Sequence, residues 1–277
     1  MLEVAANLEF DSSDEMQLIS NYSVGFALRS ENNGMPEASL AGSGTLVRGG
    51  AIFGLLTAAH VLENLLHRDE VILLNFPTGD TKPQRQTIII GNAESVVFSS
   101  NKKTCDGPDL AFLRLPMKNE ANLRATCSFF DLFACEANLR DGEPIGLGTF
   151  ETIVGVVNEW TEETLSGERL RKKFQLLMAG AEILQARTVN GFDILTISPL
   201  LKKSDRPTTY QGVSGGALWS IYFQPDGSNK VVQRRLIGTA FYELPSESGA
   251  LQIVCHGSKS IYERLLPEIK QKWPDPL

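Results

Sequence analysis

Gly212-Val213-Ser214-Gly215-Gly216-Ala217-Leu218-Trp219 is a glycine-flanked serine followed at once by an apolar run. A short continuous apolar run bounded by glycine fits a strand buried on both faces. Glycines on either side of the serine permit a tight turn with an exposed hydroxyl, and they let neighbouring backbone N–H groups converge on one point. Such convergence is what stabilising an oxyanion requires. Taken alone the stretch is equally a plain glycine-rich loop. A serine hydroxyl is a weak nucleophile at neutral pH, so chemistry here would need an imidazole to take its proton and a carboxylate to orient that imidazole.

The chain holds three histidines. His60 closes Leu55-Leu56-Thr57-Ala58-Ala59-His60, emerging at the end of an apolar strand where a side chain can enter a cleft. His67 sits in the charged His67-Arg68-Asp69-Glu70 turn and reads as solvated, and His256, beside Cys255, reads as a core or strand-end residue. Asp109 opens Asp109-Leu110-Ala111-Phe112-Leu113-Arg114-Leu115, an acid directly before an apolar strand. Its local competitor, Asp106, falls in the polar Thr104-Cys105-Asp106-Gly107 turn with no apolar strand after it, which favours Asp109. The same serine also fits the GxSxG elbow of α/β-hydrolases, in the order Ser, Asp, His. That reading would use His256 with Asp226 or an acidic neighbour and needs alternating helices, which the pattern lacks. With no HExxH, no paired Cys/His spacing and no GxxxxGK[ST] loop, no metal and no cofactor is expected.

Strand patterns dominate the rest. Ser23 to Arg29, Gly44 to Arg48, Ile52 to Ala58, Val71 to Phe76, Thr87 to Ile90, Ser95 to Phe98 and Leu110 to Leu115 form one series. Glu143 to Gly148, Ile153 to Asn158, Phe174 to Met178, Phe192 to Ile197, Ala217 to Phe223, Leu236 to Glu243 and Leu251 to Cys255 form a second. Two such runs predict two antiparallel barrels or sandwiches. Met117 to Arg140 reads as a partly helical connection between them, and Ser30 to Ser39 and Glu159 to Lys173 read as polar surface loops. Helical signals are few: Asp14 to Ser20 after Ser13, a short turn over His60 to His67, and a C-terminal helix. In that helix Ser258 is the N-cap candidate, Ile261, Leu265, Ile269 and Trp273 recur at four-residue spacing, and Pro274 stops the run. It is expected to pack its apolar face on the strands.

TAAH, DLAFLRL and GVSGGALW, in that order and 49 and 105 residues apart, resemble the trypsin-like serine peptidases of the double-barrel chymotrypsin fold. Gly42-Ser43-Gly44-Thr45-Leu46-Val47 is similar to the strand before that family's histidine, and Leu236 to Glu243 resembles the strand lining its specificity pocket. The resemblance covers about Asn21 to Trp273 and implies an all-β fold of two six-stranded antiparallel β-barrels with a C-terminal α-helix. The implied organisation is an N-terminal extension (1–20), a first barrel (21–116), the connection (117–140), a second barrel (141–256) and the helix with its tail (257–277). It also implies a serine endopeptidase with Ser214 as nucleophile, His60 as base and then acid, and Asp109 as its orienting carboxylate. The N–H groups of Gly212 and Ser214 would form the oxyanion hole. Thr208 would lie at the floor of the substrate pocket and Phe241, Tyr242 and Glu243 along its wall, a neutral floor and narrowed wall that point to small apolar side chains. Val213 stands where secreted members carry the aspartate that pairs with a freed N-terminus, and no Ile-Val-Gly-Gly start is present. The chain therefore looks closer to the bacterial and intracellular branch, competent as made or switched by an activating protein partner. The other reading of the same residues is a trypsin-like scaffold that serves as a partner-activated or non-catalytic binding module.

Composition narrows the setting. The 277 residues carry 26 Lys+Arg against 33 Asp+Glu, a net charge of -7, and 42% are hydrophobic, enough for a substantial core. Without a clustered basic footprint, nucleic acid is not an expected partner, whereas a protein or peptide substrate is. The best membrane candidate, Ala51 to Leu66, is interrupted by His60, Glu63 and Asn64, so no membrane association is expected. The start, with Glu3 and five acidic residues by Glu15, is unlike a secretory signal. Cysteines 105, 127, 135 and 255, spaced by 22, 8 and 120 residues, match no disulfide framework. A cytoplasmic protein with reduced thiols is the expectation.

Overall fold

Apolar runs bounded by glycine and polar residues become strands along most of the chain, giving a predominantly β protein with two sheets and a C-terminal helix. The computed structural model describes residues 18–32, 35–76, 84–100, 104–166, 169–226, 230–245 and 250–274. The expected helical turn from Asp14 lies outside these up to residue 17.

The first sheet contains β1 (Ser23–Asn32), β2 (Met35–Gly49), β3 (Ile52–Thr57), β4 (Glu70–Asn75), β5 (Gln84–Ile89), β6 (Ser95–Ser99) and β7 (Asp109–Arg114) in the order β5-β4-β1-β2-β3-β7-β6. The two-residue β8 (Phe130–Asp131) adds to β2 in parallel. This sheet has eight strands and is open, which corrects the expected six-stranded closure. Its edges β5 and β6 are joined by a turn whose hydrogen bonds run elsewhere: Ile90 and Gly91 donate to Asp69 O, and Ala93 donates to Ile90 O. The second sheet comprises β9 (Gly148–Ser166), β10 (Arg169–Val189), β11 (Phe192–Pro199), β12 (Ala217–Phe223), β13 (Val231–Pro245) and β14 (Leu251–Gly257). Its six strands pair in a closed ring, β10-β11-β14-β13-β12-β9.

Three local expectations are corrected. Residues 159–166 and 169–173 are not a loop but the outer part of the β9–β10 ribbon, where Lys172 faces Glu163 and Lys173 faces Glu162. Opposite charges across a ladder favour pairing even where no apolar face is available. Similarly, Ser30 to Ser39 contains the paired ends of β1 and β2. Conversely, Glu143 to Leu147 is a turn before β9 and leaves Ile145 99% exposed, while Glu143 turns to accept from the Tyr222 hydroxyl at 2.5 Å. The connection is partly helical as expected, with α2 (Met117–Thr126) and α3 (Leu132–Arg140) following α1 (Ala59–Leu66).

At the C-terminus a π-helical segment, Ser260–Leu265, runs into α4 (Leu266–Lys272). Ile261, Leu265, Ile269 and Trp273 are buried in one cluster with Leu56 and Phe112 of the first sheet and Trp219 of the second. The helical start is capped not by Ser258 but by Asp193 of β11, whose carboxylate accepts from Lys259 N, Ser260 N and the Ser260 hydroxyl. A carboxylate there meets both the unpaired N–H groups and the positive end of the helix dipole. No helix among the described residues is long and apolar enough to cross a membrane.

Packing between β3 and β7 sets the positions that matter below. Leu56 pairs with Phe112, and the Phe112 ring lies over Gly54, where an added Cβ would fall 2.1 Å from Cζ and 2.6 Å from the Leu113 carbonyl oxygen. Gly54→Ala is expected to destabilise the protein by about 2–3 kcal/mol, read as a lower denaturant midpoint at unchanged slope. A midpoint equal to that of the parent would contradict this packing.

Candidate active site

β3 ends at Thr57 and the chain turns into α1, which puts His60 in that helix's first turn. The helix has no capping side chain of its own. Asp109, at the start of the adjacent β7, takes that role: its Oδ1 accepts from His60 N at 2.9 Å. Its Oδ2 lies 2.6 Å from His60 Nδ1. A carboxylate only accepts, so Nδ1 carries the proton and Nε2 is left to receive one. Both side chains are mostly but not fully shielded, at 22% and 14% exposure. Asp106, the competing acid, instead pairs with Arg187 at 2.9 Å and is exposed.

Ser214 arrives from the second sheet on the turn before β12. The turn is pinned by backbone bonds from Val213 N to Tyr210 O, Gly215 N to Ala240 O and Gly216 N to Val213 O. Between these, the N–H groups of Gly212 and Ser214 have no hydrogen-bond partner among the described residues. Gly212 and Gly215, with φ of 98° and 88°, occupy the left-handed region that only glycine enters cheaply. Gly215 also has no room for a side chain, since a Cβ would lie 1.9 Å from Ser43 O and 2.2 Å from Thr57 Oγ1. That closeness lets Ser43 N donate to Ser214 O at 2.8 Å and Ser43 Oγ donate to Gly212 O at 2.7 Å. Ser43 Oγ also accepts from Val156 N of β9, and Thr57 Oγ1 donates to Ser43 O. Ser43 is thus a site residue that motif reading used only as part of a strand; its position in a Gly-Ser-Gly run was the available signal.

His60, Asp109, Gly212, Ser214, Phe241 and Glu243 line one cleft of about 520 Å³, together with Tyr242. Ser214 Oγ makes no hydrogen bond to His60 in this structure. Glu243 is held in the wall by Tyr210 N at 2.7 Å and by the Thr209 hydroxyl. Thr208 does not join them and lines a neighbouring cavity with Lys203 and Arg206. The cause is Glu159 of β9, whose carboxylate accepts from Thr208 N, Thr208 Oγ1 and Thr209 N and draws that peptide away. Those bonds also hold the Glu159 carboxyl below its ordinary range.

Behind Asp109, its backbone N–H donates to His256 Nε2 at 2.9 Å. His256 is fully buried, and burial lowers its pKa to about 4 against the opposing pull of Asp109 and Asp193. No protein-family model matches this chain, and no curated protein matches it.

Two outcomes follow from this geometry. Gly215→Ala should lower stability, measured by thermal unfolding; a variant as stable as the parent would contradict the close approach. The unfolded chain protonates His256 near its ordinary 6.5, whereas the folded protein resists until about 4. Between those values the unfolded state binds more protons, so stability is present above 6.5 and is lost as pH falls through the window, by about 3 kcal/mol. Denaturant midpoints at pH 7 and pH 4.5 check this, with His256→Gln expected to flatten that part of the loss.

Proposed function

We propose that the chain is a serine endopeptidase of the trypsin-like kind, acting through Ser214, His60 and Asp109. The observation that carries the reading is the convergence, on one cleft, of a paired imidazole and carboxylate, a serine on a pinned turn, and two N–H groups without partners. Ser214 Oγ would attack the scissile carbonyl carbon while His60 Nε2 takes its proton. The resulting oxyanion would be held by Gly212 N–H and Ser214 N–H. Collapse breaks the C–N bond, His60 gives its proton to the leaving amine, and an acyl ester remains on Ser214. Water, deprotonated by His60, then releases the acid and restores the serine.

A peptide is the favoured substrate because β13 pairs with β12 only as far as Thr239↔Ala217. Beyond it, Phe241 bulges out of register, Tyr242 and Glu243 pair with β14 on one side, and all three line the cleft. An extended peptide adds to a strand edge with main-chain bonds. Val213, buried and apolar, offers no charge for a freed N-terminal amine, which supports a site that forms without cleavage. The four free cysteines support a reducing, cytoplasmic setting.

The other reading of the same residues is a module aligned only when a protein partner or substrate binds. Covalent labelling by a fluorophosphonate separates the two: labelling of the chain alone, absent in Ser214→Ala, supports the peptidase, and labelling only with a partner supports the second. Asp109→Asn should lower the labelling rate by about 10⁴-fold, while Asp106→Asn should leave it nearly unchanged; the reverse order would overturn the assignment of the carboxylate.

A further inference from the structure

Three histidines occur in the chain, and the reaction proposed above uses one of them. His256 stands directly behind the carboxylate that orients His60, on β14 of the second sheet, while Asp109 belongs to the first. Its Nε2 accepts the Asp109 backbone N–H, so Nε2 is unprotonated and the ring proton sits on Nδ1. That Nδ1 is buried with no partner among the described residues. An apolar ring in the same place would avoid leaving a buried N–H unpaired, yet it would orphan the Asp109 N–H. The stability cost is therefore accepted on the side of the histidine and avoided on the side of the aspartate.

The ring is fixed in its plane. Phe241 of β13 stacks on it with centroids 4.4 Å apart at 24°, and Phe192 of β11 meets its edge at 5.7 Å. Gly107 permits the approach from the first sheet's side, since a Cβ there would lie 3.0 Å from His256 Cε1. The charged groups around the ring are few. Asp109 faces it from β7 and Asp193 from β11, the latter already holding the C-terminal helical start. Thr239 and Phe241 of β13 bring no charge, Asp106 beyond Gly107 is occupied by Arg187, and His60 lies across Asp109.

We infer that His256 is a positioning residue: as a neutral acceptor it ties the Asp109 backbone to the sheet that carries Ser214, and so sets the distance between the His60–Asp109 pair and the serine. The inference rests on the peptidase reading for its effect on rate, but not for its effect on the pair itself. Asp109 has its backbone held from one sheet and its carboxylate spent on two groups of His60, which leaves its side chain little freedom. Release of the backbone anchor would let the imidazole drift relative to Ser214, and small misplacements of reacting groups cost rate steeply.

The test has two parts. In wild-type protein labelled with nitrogen-15 at histidine, the His256 signal should be that of the neutral Nδ1–H tautomer from pH 8 down to pH 5. A tautomer protonated at Nε2, or titration as an ordinary imidazole, overturns the inference without need of any variant. His256→Phe keeps the ring stacking and removes the acceptor; it should slow fluorophosphonate labelling of Ser214 by about 10- to 100-fold. It should also shift the low-field proton resonance of His60 Nδ1–H. His256→Gln, whose side-chain oxygen can take the place of Nε2, should recover labelling to within about threefold of the parent. Equal rates and an unmoved His60 resonance in a folded His256→Phe would overturn the inference. If wild-type protein is not labelled while the tautomer and the His60 resonance behave as stated, the peptidase reading fails and the positioning of the pair stands.

Discussion

The close approach of the two sheets at Gly215 is the constraint on which the rest of the site depends. Space that a Cβ would need is taken by Ser43 O and Thr57 Oγ1, so the serine turn can press against the first sheet only with glycine there. Ser43 then spends each of its polar groups: its N–H on Ser214 O, its hydroxyl on Gly212 O and Val156 N, and its carbonyl on Thr57. Thr57 ends β3, and His60 follows three residues later. The serine and the histidine are thereby placed by one shared set of bonds rather than by two independent scaffolds, and buried, fully paired polar networks of this kind hold geometry rigidly.

Asp109 resolves a second problem with the same economy. The helix that carries His60 lacks a cap, and a carboxylate at its N-terminus completes the missing hydrogen bond while facing the favourable end of the helix dipole. The oxygen not used for the cap orients the imidazole. One side chain stabilises the local fold and fixes a tautomer, and its own backbone is held from the opposite sheet by His256. The cap, the orientation of the imidazole and the anchoring of the backbone all meet in this one residue.

Patterns confined to one segment were legible beforehand. Apart from Glu143 to Gly148, the strands of both series, the helix face of Ile261, Leu265, Ile269 and Trp273, and the turn at Ser214 follow from apolar periodicity and glycine placement, which report burial of a segment on its own account. Features created by a distant partner were not legible. The charged ribbon of residues 159–166 and 169–173 carries cross-strand ion pairs, the C-terminal helical start takes its cap from Asp193, and Thr208 is pulled from the cleft by Glu159. Glu143 to Leu147 shows the converse, an apolar-tinged segment that finds no neighbouring strand and stays a turn with Ile145 in solvent.

By itself the sequence determined the kinds of groups available and their order along the chain: an imidazole after one apolar strand, an acid before another, a serine among glycines before a third. Only the tertiary structure decided that these groups, 49 and 105 residues apart, share one cleft, that the N–H groups of Gly212 and Ser214 have no partner among the described residues, and that the first sheet stays open while the second closes. The physical reason is range. Periodicity and turn chemistry act over a few residues, whereas Ser43, Asp109, Glu159 and His256 make hydrogen bonds that include partners 49 to 171 positions away, and these exist only once the tertiary structure is formed.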